Sequence, residues 1–135
     1  MALVVPNVGE VALLDMLLKD ASPNNQTLKL YTAVSPAIDE DTEEGDFTEP
    51  GGGTGYASKT LTRGSWNAAA TAAGVTSITY AAQTFTFTSG PVTVLGYFVI
   101  EATTGTLLWC EAFSASANIP GGGGDITVTP KMQLA

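Results

Sequence analysis

The feature that most constrains the fold of this chain is a two-residue hydrophobic repeat, which is clearest in residues 84–88. Phenylalanine and threonine alternate there, so Phe85 and Phe87 would share one face of a strand and the threonines the other. Side chains that repeat every two residues cannot line one face of a helix, so this pattern predicts β-structure. The same period predicts further strands at 27–31, 56–62, 76–80, 106–113 and 125–134.

The stretch 92–100 has a different pattern that also predicts a strand. It is apolar on both faces except at Thr93 and Gly96, as expected for a central strand buried on both sides. Pro130 has no N–H to donate to a ladder, so 125–134 is predicted to lie at a sheet edge or to carry a bulge. About seven short strands separated by glycine and proline turns indicate an all-β fold, either a β-sandwich or a jelly-roll-like barrel.

One helix is predicted, near the start of the chain. Asn7 and Glu10 form an Asn-x-x-Glu variant of the capping box, and the helix should end near Asp20 because Pro23 follows. Two interpretations are open: the helix packs on the chain's own sheet, or it is an arm that docks on a neighbouring subunit. Its apolar stripe consists of Val11, Leu13, Leu14, Leu17 and Leu18.

The sequence thus divides into an N-terminal arm and helix, residues 1–25, and a single β domain, residues 26–135. A chain of 135 residues fits one domain. Residues 35–54 form a long loop without periodicity, here called the acidic loop, which holds seven of the thirteen acidic residues. Loops of this length in compact domains are usually functional or disordered.

The charge balance argues against two classes of partner. The net charge is −8 with only five lysines and arginines, whereas phosphate binding needs a basic stripe, so we expect neither nucleic acid nor membrane as a partner. The longest apolar stretches are well short of the ~20 residues that a membrane span requires. The first residues lack the basic segment of a signal peptide, so we do not expect export by the general pathway.

The sequence lacks the side chain types that most catalytic sites use. The absence of histidine removes most catalytic triads, histidine bases and nearly all catalytic zinc sites. Cys110 is the single cysteine and lies beside Trp109 in a predicted strand, where a small buried hydrophobic residue is expected. No catalytic residue and no cofactor is therefore predicted, and the chain is interpreted as a structural or binding protein.

The acidic loop contains the one weak candidate for a metal site. Asp39, Asp41 and Glu43 match the first alternating ligands of an EF-hand loop, but the required glycine comes one place late, at Gly45, and Pro50 replaces the last glutamate. A looser cation site is an alternative to a solvated acidic loop. Such a site would use Asp39, Asp41, Glu43 and Asp46.

Several segments together carry a recognisable pattern. They are 45–49 (GDFTE), 55–61 (GYASKTL), Trp66, 83–87 (QTFTF), 95–98 (LGYF) and 107–113 (LLWCEAF). This pattern, which extends over residues 5–134, resembles small virion proteins of tailed phages, notably those of cyanobacterial hosts. The resemblance implies a capsid decoration (cement) protein, or another small head or tail component, with no catalytic residues.

The resemblance also implies partners and a location. A decoration protein would be assembled in the host cytoplasm, lie on the capsid surface of the virion, and stabilise the head by binding between major capsid subunits. A homo-oligomer is expected, with a trimer favoured. The alternative is a phage tail or fibre component that binds a host receptor or glycan; a bacterial adhesin subunit and an enzyme are less well supported. The predicted partner-binding residues are Leu3, Val4, Val5, Leu13 and Leu17.

Overall fold

The computed structural model describes residue 11 and residues 14–19, 24–39 and 41–134. Most of the regular structure in these residues is β-strand, which confirms the predicted all-β class. The described strands are β1 (Gln26–Tyr31), β2 (Ala33–Val34), β3 (Phe47–Thr48), β4 (Lys59–Leu61), β5 (Ala70–Ala72), β6 (Val75–Thr79), β7 (Gln83–Phe87), β8 (Val92–Glu101), β9 (Leu107–Ile119), β10 (Gly124–Val128) and β11 (Lys131–Leu134).

All strand pairs among the described residues are antiparallel. The largest sheet has the order β4-β1-β8-β9, and three smaller sheets have the orders β11-β6-β5, β10-β7 and β2-β3. β1 pairs with β8 along its whole length, from Gln26 opposite Glu101 to Tyr31 opposite Gly96. β8 therefore lies between β1 and β9, as the two apolar faces of 92–100 predicted.

A single main core is shared by three of the sheets. Phe85 and Phe87 of β7 are buried in it while the threonines between and beside them are exposed, which confirms the predicted alternation. Because strands from the three sheets contribute to one cluster, these sheets pack around a common interior. Its other members include Leu28, Leu30, Leu61, Trp66, Ile78, Val94, Tyr97, Val99, Ile126 and Val128.

The predicted N-terminal helix is not confirmed. In the described residues its C-terminal part is a five-residue π-helical turn, Asp15–Lys19, and residues 1–10 lie outside the described part. Leu14 and Leu18 are fully buried in the main core, and Asp15 Oδ1 accepts a hydrogen bond from Ala69 N at 2.9 Å. These contacts favour, for this turn, the interpretation that it packs on the chain's own body.

The end of the chain differs from the prediction of a single strand over 125–134. Two strands, β10 and β11, occupy it, and they belong to different sheets. The break falls at Thr129 and Pro130, where proline cannot donate to a ladder and its carbonyl instead accepts a hydrogen bond from Tyr80 N at 2.9 Å.

Other strands were wrongly bounded or missed, and the short β2 and β3 are among those missed. The strand predicted over 56–62 is reduced to β4, and the strand predicted over 106–113 continues to Ile119 through a run of alanine and serine. β5 was not predicted, because its residues are small and have no alternation. It pairs with β6 through a tight turn in which Ala73 and Gly74 both have positive φ.

Candidate functional site: an apolar groove beside the acidic loop

The acidic loop is folded onto the outer face of the largest sheet. Phe47 stacks on Phe98 with ring centroids 4.4 Å apart and contacts Tyr31 with centroids 5.0 Å apart. Together with Ile100 these residues form a second buried cluster, here called the outer cluster. Tyr31 and Phe98 alternate along their strands with core residues, so the outer cluster lies on the opposite face from the main core.

Main-chain pairing joins the start of the acidic loop to its middle. In the β2–β3 ladder Ala33 lies opposite Thr48 and Val34 opposite Phe47. Ser35 N donates to Asp46 O at 2.9 Å, which continues the pairing by one further bond. The loop is therefore held by main-chain pairing, while residues 35–39, 41, 43 and 45 remain exposed to solvent.

An ionic contact ties the acidic loop to β1. Lys29 Nζ lies 2.8 Å from Glu44 Oε1 and 2.9 Å from Glu49 Oε1. Burial by itself would lower the pKa of Lys29, but hydrogen bonds and charge attraction from the two glutamates outweigh burial and raise it. The lysine is thus held charged, and it neutralises part of the loop.

Tyr56 makes a second polar connection between the loop and β1. Its hydroxyl donates to Glu49 Oε2 at 2.9 Å and accepts from Leu30 N at 3.0 Å. Burial, with Glu49 beside it, raises the pKa of Tyr56 well above its usual range, so the hydroxyl remains a donor at neutral pH.

The four cation-site candidates are distributed along the loop, and two of them close local turns. Asp39 Oδ1 accepts from Asp41 N at 3.0 Å, and Asp46 Oδ2 accepts from Glu43 N at 2.9 Å. The side chains of Asp41 and Glu43 are exposed. In the part of the chain that the structure describes, no three histidine, cysteine or acidic side chains are grouped so that they could hold a metal ion.

An acidic cleft separates the loop from the turn between β8 and β9. It has a volume of about 630 Å³ and is lined by residues 41–45 on one side and 104–107 on the other. A side chain at Gly105 would come within 2.8 Å of Glu44 Oε2, and its φ of +73° favours glycine. No basic side chain is among the described residues that line the cleft, and of its acidic residues Glu44 is paired with Lys29 from outside the lining while Asp41 and Glu43 are exposed.

At the start of the acidic loop lies an apolar groove of about 510 Å³. Ile38 and Leu95, which line it, are 41% and 37% exposed and are two of the three large apolar side chains that are exposed in the described part. The groove is lined by Tyr31, Val34, Ala37, Ile38, Leu95 and residues 112–116.

A large bulge in β9 forms one wall of the apolar groove. Gly96 pairs with Ala112 and Val94 pairs with Ala117, so residues 113–116 have only Leu95 opposite them. Their main-chain groups consequently lack regular ladder partners in β8. β9 is also the last strand of its sheet, so no other described strand pairs with its outer edge.

Gly96 allows the Tyr31 ring to lie against β8 at the apolar groove. A Cβ atom there would clash with Glu111 O and would lie 2.7 Å from the Tyr31 ring. Only glycine lets the Tyr31 side chain pass this close to β8, where the ring lines the apolar groove.

The predicted partner-binding residues are only partly within the described residues. Leu17 is 41% exposed on the turn whose neighbours Leu14 and Leu18 are buried. The other four predicted residues, Leu3, Val4, Val5 and Leu13, lie outside the described part, so their role stays a prediction.

Two neighbouring titratable groups, Cys110 of β9 and Tyr97 of β8, have raised pKa values. Cys110 is half-buried against the outer cluster, and burial raises the pKa of its thiol. Burial also raises the pKa of Tyr97 to about 12, helped by its 2.6 Å hydrogen bond to Glu111. A protonated thiol and a neutral phenol are poor nucleophiles at neutral pH.

Sequence reasoning missed the residues that line the apolar groove. One signal was present: Ile38 is a large apolar residue in an otherwise acidic loop, and Phe47 is a second one. The bulge in β9 had no comparable signal, since alanine and serine at 112–116 mark neither a strand nor a turn.

No helix in the described residues has the length and apolar character needed to cross a membrane. Comparisons with protein-family models, with curated protein sequences and with solved structures found no match. A function for this chain has therefore to be proposed from its own residues.

Proposed function

We propose that this protein is a non-enzymatic virion structural protein that decorates a phage head by binding between major capsid subunits. The observation that carries the proposal is the apolar groove, where exposed Ile38 and Leu95 lie beside a strand bulge whose residues lack regular register partners in β8. Exposed apolar side chains next to an irregular strand at the edge of a sheet are typical of protein-binding surfaces. The resemblance to phage virion proteins supports the same function.

The chemistry of the site favours binding over catalysis. A catalytic site needs a nucleophile or base whose pKa suits its task and whose partner lies within hydrogen-bond reach. The Cys110 thiol is held protonated by burial, and the carboxylates of Asp39 and Asp46 accept bonds from loop backbone. Each of these groups has a structural contact and none is paired with a second reactive group.

A rigid β body would suit such a role, and we assign this chain a β-sandwich in preference to a jelly-roll-like barrel. Support comes from the main core, to which strands of three separate sheets contribute. An N-terminal helix remains part of the proposal, with the turn at Asp15–Lys19 as its C-terminal part. Like the decoration proteins that it resembles, the protein would act as a homotrimer on the virion surface.

The alternative of a glycan-binding tail component has less support. Sugar platforms use exposed aromatic rings, whose apolar faces stack on the sugar. All eleven aromatic side chains lie within the described residues, and each of them is buried or half-buried. Core packing therefore accounts for these rings.

Light scattering followed by pelleting tests the proposed function. The molar mass of the purified protein would be measured in solution by light scattering. The protein would then be mixed with phage heads stripped of decoration protein and centrifuged. We expect a trimer that co-pellets with the heads to a saturable stoichiometry. A monomer that stays in the supernatant at all protein concentrations would contradict the proposal and direct the search to glycans.

A further inference from the structure

We infer that the partner of this protein presents an extended segment with an apolar side chain that fills the apolar groove and, several residues away, basic side chains that lie in the acidic cleft. The inference rests on the proposed function, because it names the chemistry of the capsid segment that would be bound. It concerns a protein partner other than a second copy of this chain.

The two sites are placed so that one segment could reach both. The apolar groove uses residues 34–38 of the loop region and 112–116 of β9, while the acidic cleft uses 41–45 and 104–107. Both therefore border β9, and the cleft follows the groove along the acidic loop. At about 3.3 Å per strand residue, Leu107 and Ala112 are roughly 17 Å apart, a span that five or six extended residues of a partner would cover.

The apolar groove accounts for the hydrophobic part of the segment. Ile38 and Leu95 lose exposed apolar surface when a side chain enters the groove, and apolar burial is the main driving force of association. Residues 113–116 have main-chain groups that β8 does not pair in a regular ladder. An extended partner could bond to them, as in recognition by strand addition.

The acidic cleft accounts for the basic part of the segment. Asp41 and Glu43 are exposed at its wall, and Glu44 is the acidic residue there that a lysine neutralises. Lysine or arginine side chains of a partner would meet complementary charge, which increases the association rate and fixes the register of binding.

Charge also argues against a second copy as the occupant. The chain has only five lysines and arginines, and its net charge of −8 makes two copies repel at this surface. Lys29 is already paired with Glu44 and Glu49. A partner with its own basic residues fits the cleft better than any segment of this chain.

Fluorescence anisotropy with a designed peptide tests the inference directly. The probe is a fluorescein-labelled peptide of about fourteen residues, long enough to span both sites. Leucine and threonine alternate in one half, and lysine and serine in the other; a second probe has the halves in reverse order. We expect one order to bind and its affinity to fall with added salt, because the cleft contact is electrostatic.

Substitutions separate the two parts of the site. Leu95→Ser and Ile38→Ser should each weaken peptide binding about tenfold, and Asp41→Asn combined with Glu43→Gln should do the same at low salt. All four side chains are exposed, so the variants should fold. Asp125→Asn changes an equally exposed residue away from the site and should leave peptide binding unchanged.

Three results would overturn the inference. They are no binding of either peptide up to millimolar concentration, unchanged affinity in the groove and cleft variants, or equal binding of a peptide with glutamate in place of lysine. Pelleting with phage heads distinguishes this failure from failure of the proposed function. If wild type and the Leu95→Ser variant co-pellet equally, the decoration function stands and the groove is not its docking site.

Discussion

The two faces of the largest sheet are covered in different ways. On the inner face the cover consists of strands such as β7 and β10, whose buried residues alternate with exposed threonines. On the outer face the cover is the acidic loop, which has almost no regular structure and is attached through Phe47, Lys29 and Tyr56. One face is therefore covered by a repeating pattern and the other by a few individual contacts.

This difference decides how each face responds to a change. A core shared by three sheets distributes every contact over many neighbours, so a defect there affects the whole fold. The outer cluster contains four buried residues, and the loop above it can open without disrupting the main core.

Replacing Phe85 with alanine should have the largest effect. The ring is fully buried in the main core, and truncation of such a residue costs about 3–5 kcal/mol of the free energy of unfolding. Urea denaturation measures the loss. Thr86→Ala, at the exposed neighbouring position, is the matched control and should change the free energy of unfolding by less than about 0.5 kcal/mol.

Replacing Phe47 with alanine should cost about 3 kcal/mol, the lower end of the range for a large aromatic residue, because the loop can partly relax into the space. The change removes the stack on Phe98. Hydrogen exchange should accelerate in residues 35–54 and remain slow in β7 and β8. Equal acceleration in the main core would show that the two faces are not independent.

Alkaline pH should destabilise the protein through its buried tyrosines. Burial, followed by the bond to Glu111, raises the pKa of Tyr97 to about 12, whereas an unfolded tyrosine titrates near pH 10. The protonated form is favoured in the folded state, so this contribution is fully present below about pH 10 and is lost as the pH rises towards 12. The loss is on the order of 2 kcal/mol.

Urea denaturation at a series of pH values measures this effect. The variant Tyr97→Phe should have a shallower decline in stability between pH 10 and pH 12 than the wild type. An identical slope in the two proteins would mean that Tyr97 is not the titrating group.

Replacing Lys29 with methionine should cost about 1 kcal/mol, because Glu44 and Glu49 lose their partner but stay partly exposed to solvent. The difference between wild type and variant should shrink in high salt, which screens the ion pairs. It should also shrink above about pH 10, since Lys29, whose pKa is raised in the folded state, contributes fully only below its unfolded pKa. Lys131→Met changes an exposed lysine and is the control.

The smallest effect is expected from Asp41→Asn combined with Glu43→Gln. Both side chains are exposed, so the free energy of unfolding should change by less than about 0.5 kcal/mol. Asp39→Asn should cost more, because Asp39 Oδ1 accepts bonds from Asp41 N and Thr42 Oγ1. If the double variant lost as much stability as Asp39→Asn, the cleft carboxylates would have structural contacts of their own.

Much of the inner face could be predicted from the sequence. Phe85 and Phe87 were assigned to one face of a strand from alternation, and both are buried. The central position of β8 followed from its two apolar faces. The split between β10 and β11 was missed, since Pro130 predicts an interruption but does not say whether the chain returns to the same sheet.

The candidate site could hardly be predicted at all. Asp39, Asp41, Glu43 and Asp46 were grouped because they are close in sequence, yet the contacts that position the loop join Lys29 to Glu49 and Phe47 to Phe98. Such contacts depend on the pairing of β1 with β8 and have no local pattern. The groove-lining residues Leu95 and Ala112 come together only because of a register shift.

The sequence by itself determined the all-β class, the inward residues of the regular strands and the shortage of catalytic side chains. These properties are local, because the side chains of a strand alternate whatever the strand pairs with. Only the tertiary structure decided that the acidic loop covers the outer face and that an apolar groove opens beside it. Those features depend on which strands become neighbours and on where their registers shift, which arises from packing of the whole chain.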